Sequence, residues 1–287
     1  MAFKFFGITA LVFCFLTPLP AKIQGPNKPL KFELGINFGS TLGYSITESS
    51  YSDAWDGYDA FNIQESGTIS PELSKPLSFG GNFSLITRKG IGVQINFDYN
   101  FDSDITGTSI YDVTHSDHNT YYGRQNSSEW DNTGIVKMMV LSLNLIYKYQ
   151  SKLFCPWVSG GASYYSGNIE ASSFVGYGFE DYWLDFDYWG LPISIDESLS
   201  GIGFNVGGGF DIHFTRNIAF TVEARYYILK KHELHWVTDV SGEYESYIWE
   251  ITYTINPTVA DYVNELIDSL EFNASFPKIA AGIKFSF

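Results

Sequence analysis

Histidines that lie next to acidic or hydroxyl residues are the positions where residue type and spacing could support catalysis. The run His115–His118 has the sequence HSDH and could form a hydrolytic or metal-binding cluster. His232 and His235 enclose the sequence HELH, which is one residue short of the HExxH spacing that places two imidazoles on one helical face. Both motifs are incomplete, so solvated loop histidines are the favoured interpretation.

Acidic residues inside an aromatic run suggest a different chemistry. The 174–189 stretch contains eight aromatic residues together with four carboxylates, Glu180, Asp181, Asp185 and Asp187. Carboxylates are the hard oxygen ligands that Ca²⁺ prefers, but no regular calcium-loop spacing is present. The same residues fit an adhesive extracellular surface or the aromatic core of a strand extension. Apart from Ca²⁺ at this position, no cofactor is expected.

The composition indicates which elements position these residues. The chain has 287 residues, of which 45% are apolar and 18% aromatic, with 27 glycines, 20 tyrosines and 24 phenylalanines. This content favours strands over helices. The formal net charge of -15 argues against a nucleic-acid partner, because phosphate binding requires a basic surface.

The N-terminus has the pattern of a secretory signal peptide. Lys4 precedes the apolar run from Phe5 to Leu16, and small Ala21 follows, which predicts cleavage after Ala21. The run is too short to cross a bilayer as a helix. The predicted organisation is a signal peptide over 1–21, a periplasmic N-terminal segment over 22–30 and a β-barrel domain over 31–287.

Apolar residues alternate with small or polar residues in eight later segments. In the first, Phe32, Leu34 and Ile36 alternate with Glu33 and Gly35, and alternate positions lie on opposite faces of a strand. Each segment is long enough to cross a bilayer as a tilted strand. The connections are alternately short (88–90, 150–153 and 215–217) and long (47–76, 103–133, 171–200 and 232–275).

Two kinds of eight-stranded barrel fit this alternation. A soluble barrel of the lipocalin type is apolar inside, whereas a transmembrane barrel is apolar outside. The polar positions here are mostly glycine, serine and asparagine, which suit a crowded interior, and aromatic residues gather at the segment ends as in interfacial girdles. The long connections hold 26 of the 32 acidic residues, while the short turns contain Arg88, Lys89, Lys152 and Arg216. These features favour the transmembrane barrel.

In these respects the chain resembles the small outer-membrane β-barrel proteins of Gram-negative bacteria, the OmpA/OmpX/OmpW-like superfamily. The closest stretches are 201–227 (GIGFNVGGGFDIHFTRNIAFTVEARYY), 156–165 and 280–287. The resemblance implies an all-β, eight-stranded antiparallel up-and-down transmembrane β-barrel in the bacterial outer membrane, with short periplasmic turns and long extracellular loops.

Two groups of residues gain an interpretation from the resemblance. Gly282, Phe285 and Phe287 look like the C-terminal signal that the barrel assembly machinery recognises, so that machinery and the outer-membrane lipids are expected partners. Asp211 and His213 have the spacing of an Asp/His pair in the omptin proteases. Because this pair precedes a short turn, it should lie at the periplasmic end, and no enzymatic activity is predicted.

Charged residues of the polar parity should point into the barrel. They include Glu223, Arg225, Asp98, Asp211, Lys148 and Lys284. An eight-stranded barrel has room for little beyond side chains, so ion pairs that fill the lumen are favoured over a gated polar path.

The last long connection has its own pattern. Its apolar residues suggest a hairpin that turns near Ser241 and Gly242, followed by a short helix from Pro257 that would cap the barrel or dock a partner. The expected function is a structural, adhesion or surface-interaction role through acidic aromatic extracellular loops, with an extracellular partner. The alternative is a narrow pore or a lateral-diffusion transporter for small hydrophobic molecules.

Overall fold

In the computed structural model, the described residues are 30–56, 61–117, 123–151, 153–180, 186–238, 242–245, 252–255, 265, 267 and 269–287. The predicted signal peptide and almost all of the predicted N-terminal segment lie outside them. No helix among the described residues is long and apolar enough to cross a membrane.

Sixteen strands, numbered along the chain, are present in the described residues. Eight of them form the ring: β1 (Leu30–Thr41), β5 (Leu77–Thr87), β6 (Ile91–Asp117), β8 (Thr133–Lys148), β9 (Phe154–Glu180), β10 (Phe186–His213), β11 (Ile218–Ile228) and β16 (Phe276–Ser286). The others are β2 (Ser45–Ile46), β3 (Ser49–Asp56), β4 (Phe61–Leu73), β7 (Gly123–Asp131), β12 (Lys231–Leu234), β13 (Gly242–Glu245), β14 (Thr252–Ile255) and β15 (Leu270–Asn273).

The ring is an antiparallel up-and-down barrel. Each ring strand pairs with the next ring strand along the chain, and β16 pairs with β1 to close the circle. The three connections at one rim are short turns, and those at the other rim are long. The predicted eight-stranded barrel is therefore confirmed.

The two faces of the strands near the short turns follow the predicted parity. On β1, Phe32 and Phe38 are exposed on the outside by 43% and 63%, whereas Glu33 and Asn37 are buried inside. Apolar side chains thus surround a polar interior in this part of the barrel, which is the arrangement of a transmembrane barrel and the reverse of a lipocalin.

Beyond the rim opposite to the short turns, most residues of the long connections form strands. β6, β9 and β10 contain 27, 27 and 28 residues, and the β9–β10 ladder runs without interruption from Phe154↔Ile212 to Glu180↔Phe186. β3, β4 and β7 extend the same sheet beside β6. Residues 174–180 and 186–189 form strands of this ladder, as in the strand-extension interpretation, and residues 181–185 lie outside the described residues. We call the part beyond the ring the extension.

The polarity of the two faces is exchanged where the extension begins. Along β10, the outward residues change from exposed Ser198 to exposed Ile202 and Val206, while the inward residues change from buried Ile195 to buried Asp211. The apolar outward stretch from Ile202 to Ile212 covers eleven residues, which is enough for a tilted strand to cross a bilayer. The extension therefore has the soluble arrangement, with an apolar core and a polar surface.

A β-bulge adjusts β6 at this boundary. Asn100 pairs with Met138 of β8 and Ser103 pairs with Val136, so β6 uses one residue more than its partner over the same distance. Both Asn100 and Ser103 are fully buried. The bulge thus shifts the inward parity and keeps the side chains of the extension correctly oriented towards its core.

The last connection folds over the barrel mouth. β12, β15 and β2 form a small sheet whose buried Phe272 packs against Tyr44, and Tyr44 in turn contacts Phe276. Val237 exchanges two backbone hydrogen bonds of 2.9 Å with Ser194 on the edge of β10. We call the three-stranded sheet of β12, β15 and β2 the cap.

The hairpin of the last connection does not turn where the sequence predicts. The hairpin consists of β13 and β14, which pair from Gly242↔Ile255 to Glu245↔Thr252, so the prediction of a turn near Ser241 and Gly242 is wrong. β12 pairs with β15 instead of with the hairpin. The predicted helix from Pro257 falls mostly outside the described residues.

The outward face of β10 is apolar in one part and polar in the other. An arginine on this face should therefore lower the free energy of unfolding by different amounts in the two parts. Val206→Arg places a charge in the apolar outward stretch, so we expect the free energy of unfolding to fall by about 2–4 kcal/mol. Ser198→Arg, the matched control on the same face in the extension, should change it by less than about 0.5 kcal/mol. Urea titrations in phospholipid vesicles would measure both values, and equal losses would contradict the assigned boundary.

Candidate functional site

The densest group of charged side chains lies inside the part of the barrel that has an apolar outer face. Eight buried charged residues line it, four carboxylates (Glu33, Asp98, Asp211 and Glu223) and four cations (Lys148, Arg225, Lys278 and Lys284). All are at most 3% exposed, and their formal charges sum to zero. They come from six different ring strands and are arranged in three layers along the barrel axis.

The first layer lies next to the short turns. Lys148 Nζ donates to Glu33 Oε1 at 2.7 Å and is 2.5 Å from Asp211 Oδ2. Lys284 Nζ donates to the same Asp211 carboxylate at 2.9 and 3.1 Å and lies 5.1 Å from the ring centre of Trp157. The indole of Trp157 also donates to Asp211 Oδ1 at 3.2 Å. Asp211 is therefore fully engaged as a structural acceptor.

The second layer is centred on Arg225. Its guanidinium donates to Asn205 Oδ1, to Gln94 Oε1 at 3.3 Å and to Ser159 Oγ at 3.2 Å. Asn205 Nδ2 in turn donates to Ser163 Oγ at 2.8 Å. Amide and hydroxyl oxygens from three strands, β6, β9 and β10, thus hold the arginine across the middle of the lumen.

The third layer connects β1, β6, β11 and β16. Lys278 Nζ donates to Asp98 Oδ1 and to Asn37 Oδ1, the latter at 3.1 Å, and lies 3.7 Å from Glu223 Oε1. Asn37 Nδ2 donates to Glu223 at 3.0 Å, and the hydroxyl of Tyr227 donates to Asp98. We call the three layers together the lumen network.

A glycine on β5 is necessary for this third layer. Gly80 faces the network, and a Cβ atom at this position would overlap the carboxylate of Asp98 and the amide of Asn37. The absence of a side chain at Gly80 is what lets these groups approach each other. Any larger residue would have to displace them from Lys278.

The structure brings all six charged residues selected by parity into the lumen network. Glu223, Arg225, Asp98, Asp211, Lys148 and Lys284 are all buried in it. Glu33 and Asn37 are further members, and their alternation with Phe32 and Phe38 is the sequence signal that identifies them. Which residues pair with each other within a layer depends on the register of the strands. The local sequence pattern does not specify that register.

The histidine motifs are not assembled into a catalytic or metal site in the described residues. The side chains of His115–His118 lie outside the described residues. His232 belongs to β12, which ends at Leu234, and its Nε2 lies 2.6 Å from the Tyr165 hydroxyl. Burial, with a smaller contribution from Lys230, lowers the pKa of His232. The expectation of a solvated loop histidine is wrong for His232, whereas His235 is exposed.

The four acidic residues of the 174–189 stretch are described only in part. Glu180 and Asp187 belong to the paired strands, while Asp181 and Asp185 lie outside the described residues. Across the described part of the chain, no group of three or more His, Cys, Asp or Glu residues could hold a metal ion. Phe285 and Phe287, two residues of the predicted assembly signal, are exposed on the outer face at the short-turn rim.

The outward-pointing side chains at the level of the lumen network show whether water or hydrocarbon surrounds the barrel. Leu145, Val158, Ile202 and Ile283 point outwards with exposed fractions of 50–75%. A continuous apolar exterior around a charged interior is stable in hydrocarbon and unstable in water. The protein is an outer-membrane β-barrel. Bacterial barrels of this up-and-down type reside in the outer membrane, and that is the location of this barrel.

Among known proteins, solved structures alone resemble this chain. No family model and no curated protein matches the chain. Similar solved structures include the outer membrane protein OprG from Pseudomonas aeruginosa, with 11% identity, 91% of this chain and 97% of that chain covered, and a TM-score of 0.46.

Two further structures extend the comparison. Ail, the attachment invasion locus protein of Yersinia pestis, has 11% identity, 89% and 98% coverage and a TM-score of 0.35. The outer membrane protease OmpT from Escherichia coli has 8% identity, 92% and 99% coverage and a TM-score of 0.35. Similarities of this size carry no information about activity, and the barrel's own geometry is the basis for placing it in the outer membrane.

Because the charges of the lumen network are buried and paired, removing the partner of one of them should strongly lower the free energy of unfolding. Asp211→Ala removes the shared acceptor of Lys148 and Lys284, so we expect it to lower the free energy of unfolding by about 3–5 kcal/mol. Asp102→Ala removes the exposed partner of Lys137 at 3.5 Å and should cost less than about 1 kcal/mol. Urea unfolding monitored by tryptophan fluorescence would compare them, and similar losses would show that the network contributes little.

Proposed function

We propose that this protein is a closed, non-enzymatic outer-membrane barrel that acts at the cell surface through its extension, in a structural, adhesion or surface-interaction role. The observation that supports this proposal most directly is the occupied interior. The lumen network fills the barrel with paired charges, and the same strands continue outwards as a folded extension. The barrel is thus an anchor, and the extension is the part that meets other molecules.

The interior above the lumen network supports closure of the barrel. On β8, the inward side chains change from Ser142 to Val140, Met138 and Val136, and all four are buried. Val140, Met138 and Val136 join a continuous apolar core with the cap residues. An aqueous pore would have to pass through both the ion pairs and this core, which is why we favour the anchor role over the narrow-pore or lateral-diffusion alternative.

The outer surface of the extension supports a binding role. A shallow groove crosses β8, β9 and β10 and is lined by Thr133, Glu170, Ser172, Ser194 and Asp196, among other residues. Glu170 and Asp196 are direct cross-strand partners and both are exposed. Carboxylates and hydroxyls on a rigid sheet fit a partner that presents basic or hydrogen-bond-donating groups.

No catalytic step is included in this proposal. Asp211 is bonded to two lysines, and His232 is bonded to Tyr165, and both sets of contacts suit structural roles. Recognition of Gly282, Phe285 and Phe287 by the barrel assembly machinery is a further proposal. Ca²⁺ binding at Glu180, Asp181, Asp185 and Asp187 is another, and the surface role requires no cofactor.

Planar-bilayer recordings test closure. We expect the purified, folded chain to produce no conductance steps under conditions in which a general porin, as positive control, conducts. Steady steps of uniform size in independent preparations would show an open path and would favour the pore alternative.

A cell-attachment assay tests the surface role. Bacteria without other adhesins should attach to host-cell layers several-fold better when they express the chain than when they carry an empty vector. Neutralising the exposed carboxylates in Asp104→Asn/Glu170→Gln/Asp196→Asn should reduce this gain, because these residues form the acidic outward face.

The matched control for attachment is Ser172→Ala/Ser194→Ala, which changes the same face without altering its charge. We expect it to retain attachment at the level of the unmodified chain. Equal attachment of expressing and empty-vector cells would contradict the adhesion role.

A further inference from the structure

The seam between β1 and β16 is where the first and last strands of the ring close the barrel. Its ladder runs from Glu33↔Ser286 to Thr41↔Lys278. Backbone hydrogen bonds and packed side chains join the two strands there. A covalent bond across this seam would make the closure of the barrel permanent.

The third layer of the lumen network places an amine against an amide across this seam. Lys278 of β16 donates from Nζ to Oδ1 of Asn37 on β1 at 3.1 Å. Because Oδ1 is bonded to Cγ, the amine nitrogen lies next to the carbonyl carbon of the amide. The inward positions between the two residues are Gly39 and its partner Ala280, whose small size leaves room for the lysine stem.

A carboxylate contacts both members of this pair. Glu223 Oε1 accepts a hydrogen bond from Asn37 Nδ2 at 3.0 Å and lies 3.7 Å from Lys278 Nζ. The same oxygen therefore faces the nitrogen that could attack and the nitrogen that could leave. A group that carries a proton between the two has to occupy this position.

The surroundings exclude water and favour the amide as the reacting group. Asn37, Lys278 and Glu223 are at most 3% exposed, so water has little access to the pair. Burial disfavours separated charges, which makes a proton transfer from Lys278 to Glu223 less costly than in water. Asp98 accepts hydrogen bonds from Tyr227 and Lys278, which stabilise it as a carboxylate, a poor acyl group for an amine.

We propose that Lys278 and Asn37 form an intramolecular isopeptide bond, with Glu223 as the proton carrier. Glu223 takes a proton from the Lys278 ammonium, and the neutral Nζ attacks Cγ of Asn37 as a nucleophile. Glu223 then gives its proton to Nδ2 and takes the surplus proton from Nζ. The Nζ–Cγ bond forms, the Cγ–Nδ2 bond breaks and ammonia leaves. The step needs no oxidant and no cofactor.

The charge balance of the barrel interior is preserved by this reaction. It removes the positive charge of Lys278 and leaves Glu223 protonated, so one cation and one anion disappear together. The remaining buried charges are three carboxylates (Glu33, Asp98 and Asp211) and three cations (Lys148, Arg225 and Lys284).

The bond would give the barrel a covalent seam. Residues 37–278 would form a closed ring, so β1 and β16 would stay joined even in the unfolded chain. A cross-link of this kind restricts the unfolded state and thereby stabilises the folded one.

Mass spectrometry of the purified, folded chain tests the proposal. We expect an intact mass one ammonia below the mass calculated from the sequence for the observed N-terminus. Tandem spectra of a protease digest should contain a peptide pair joined through Asn37 and Lys278. A full calculated mass without a joined pair would overturn the proposal, and so would the loss of one water with a link between Lys278 and Asp98.

Three variants identify the reacting groups. Lys278→Arg keeps the positive charge but removes the amine, and Glu223→Gln keeps both reacting groups but removes the proton carrier, so both chains should have their full calculated mass. Lys284→Arg, the same lysine substitution in the first layer, should remain one ammonia lighter. Heat-dependent gel mobility verifies that each variant is folded.

Migration of fully denatured samples gives a second readout. After boiling in detergent, the unmodified chain should migrate differently from Lys278→Arg, because a closed ring is more compact than an open chain. Identical migration together with identical agreement with the calculated masses would overturn the proposal. A joined peptide pair that persists in Glu223→Gln would overturn the role assigned to Glu223.

Discussion

The exchange of polar and apolar faces along continuous strands is the constraint on which the rest of this structure depends. A single strand such as β10 passes through hydrocarbon and then through water, and its outward side chains must suit each solvent in turn. Ile202 and Val206 face outwards in the first region, and Ser194 and Ser198 in the second. The interior has to change in the opposite sense, from Asp211 to Ile195, because each region also needs a filled core.

The lumen network follows from this constraint. Small barrels leave no room for bulk water, so polar inward residues have to satisfy one another. Charges in such an interior are stable only when they are paired and hydrogen-bonded, and four carboxylates are balanced here by four cations. The extension has solvent outside and can use an apolar core instead. The change of face therefore also marks where the interior passes from ion pairs to aliphatic packing.

Much of the ring could be predicted from the sequence. Alternation around Phe32, Phe204 and Ile283 locates the ring strands, and parity assigns Asp211 and Lys148 to the interior, because both signals are local. The short turns are equally local, since Gly90 and Thr215 determine them through neighbouring hydrogen bonds.

The extension and the cap were harder to predict for physical reasons. Ile193 and Ile195 alternate on the opposite parity to Ile202, so a search for one apolar face ends at the boundary, and the bulge near Asn100 shifts the parity of β6 as well. The cap pairs β12 with β15 across a long insertion, and the pairing of Lys148 with Glu33 joins residues 115 positions apart. Such contacts depend on ring closure and register, which no local pattern specifies.

A depth profile along the outer face of β10 tests the central claim most directly. Single cysteines at Ser194, Ser198, Ile202 and Val206, in a chain with Cys155→Ser, would carry an environment-sensitive fluorophore in folded, vesicle-inserted protein. We expect quenching by a lipid-soluble quencher at positions 202 and 206 and by an aqueous quencher at 194 and 198. Lipid-phase quenching at all four positions, or aqueous quenching at 202 and 206, would contradict it.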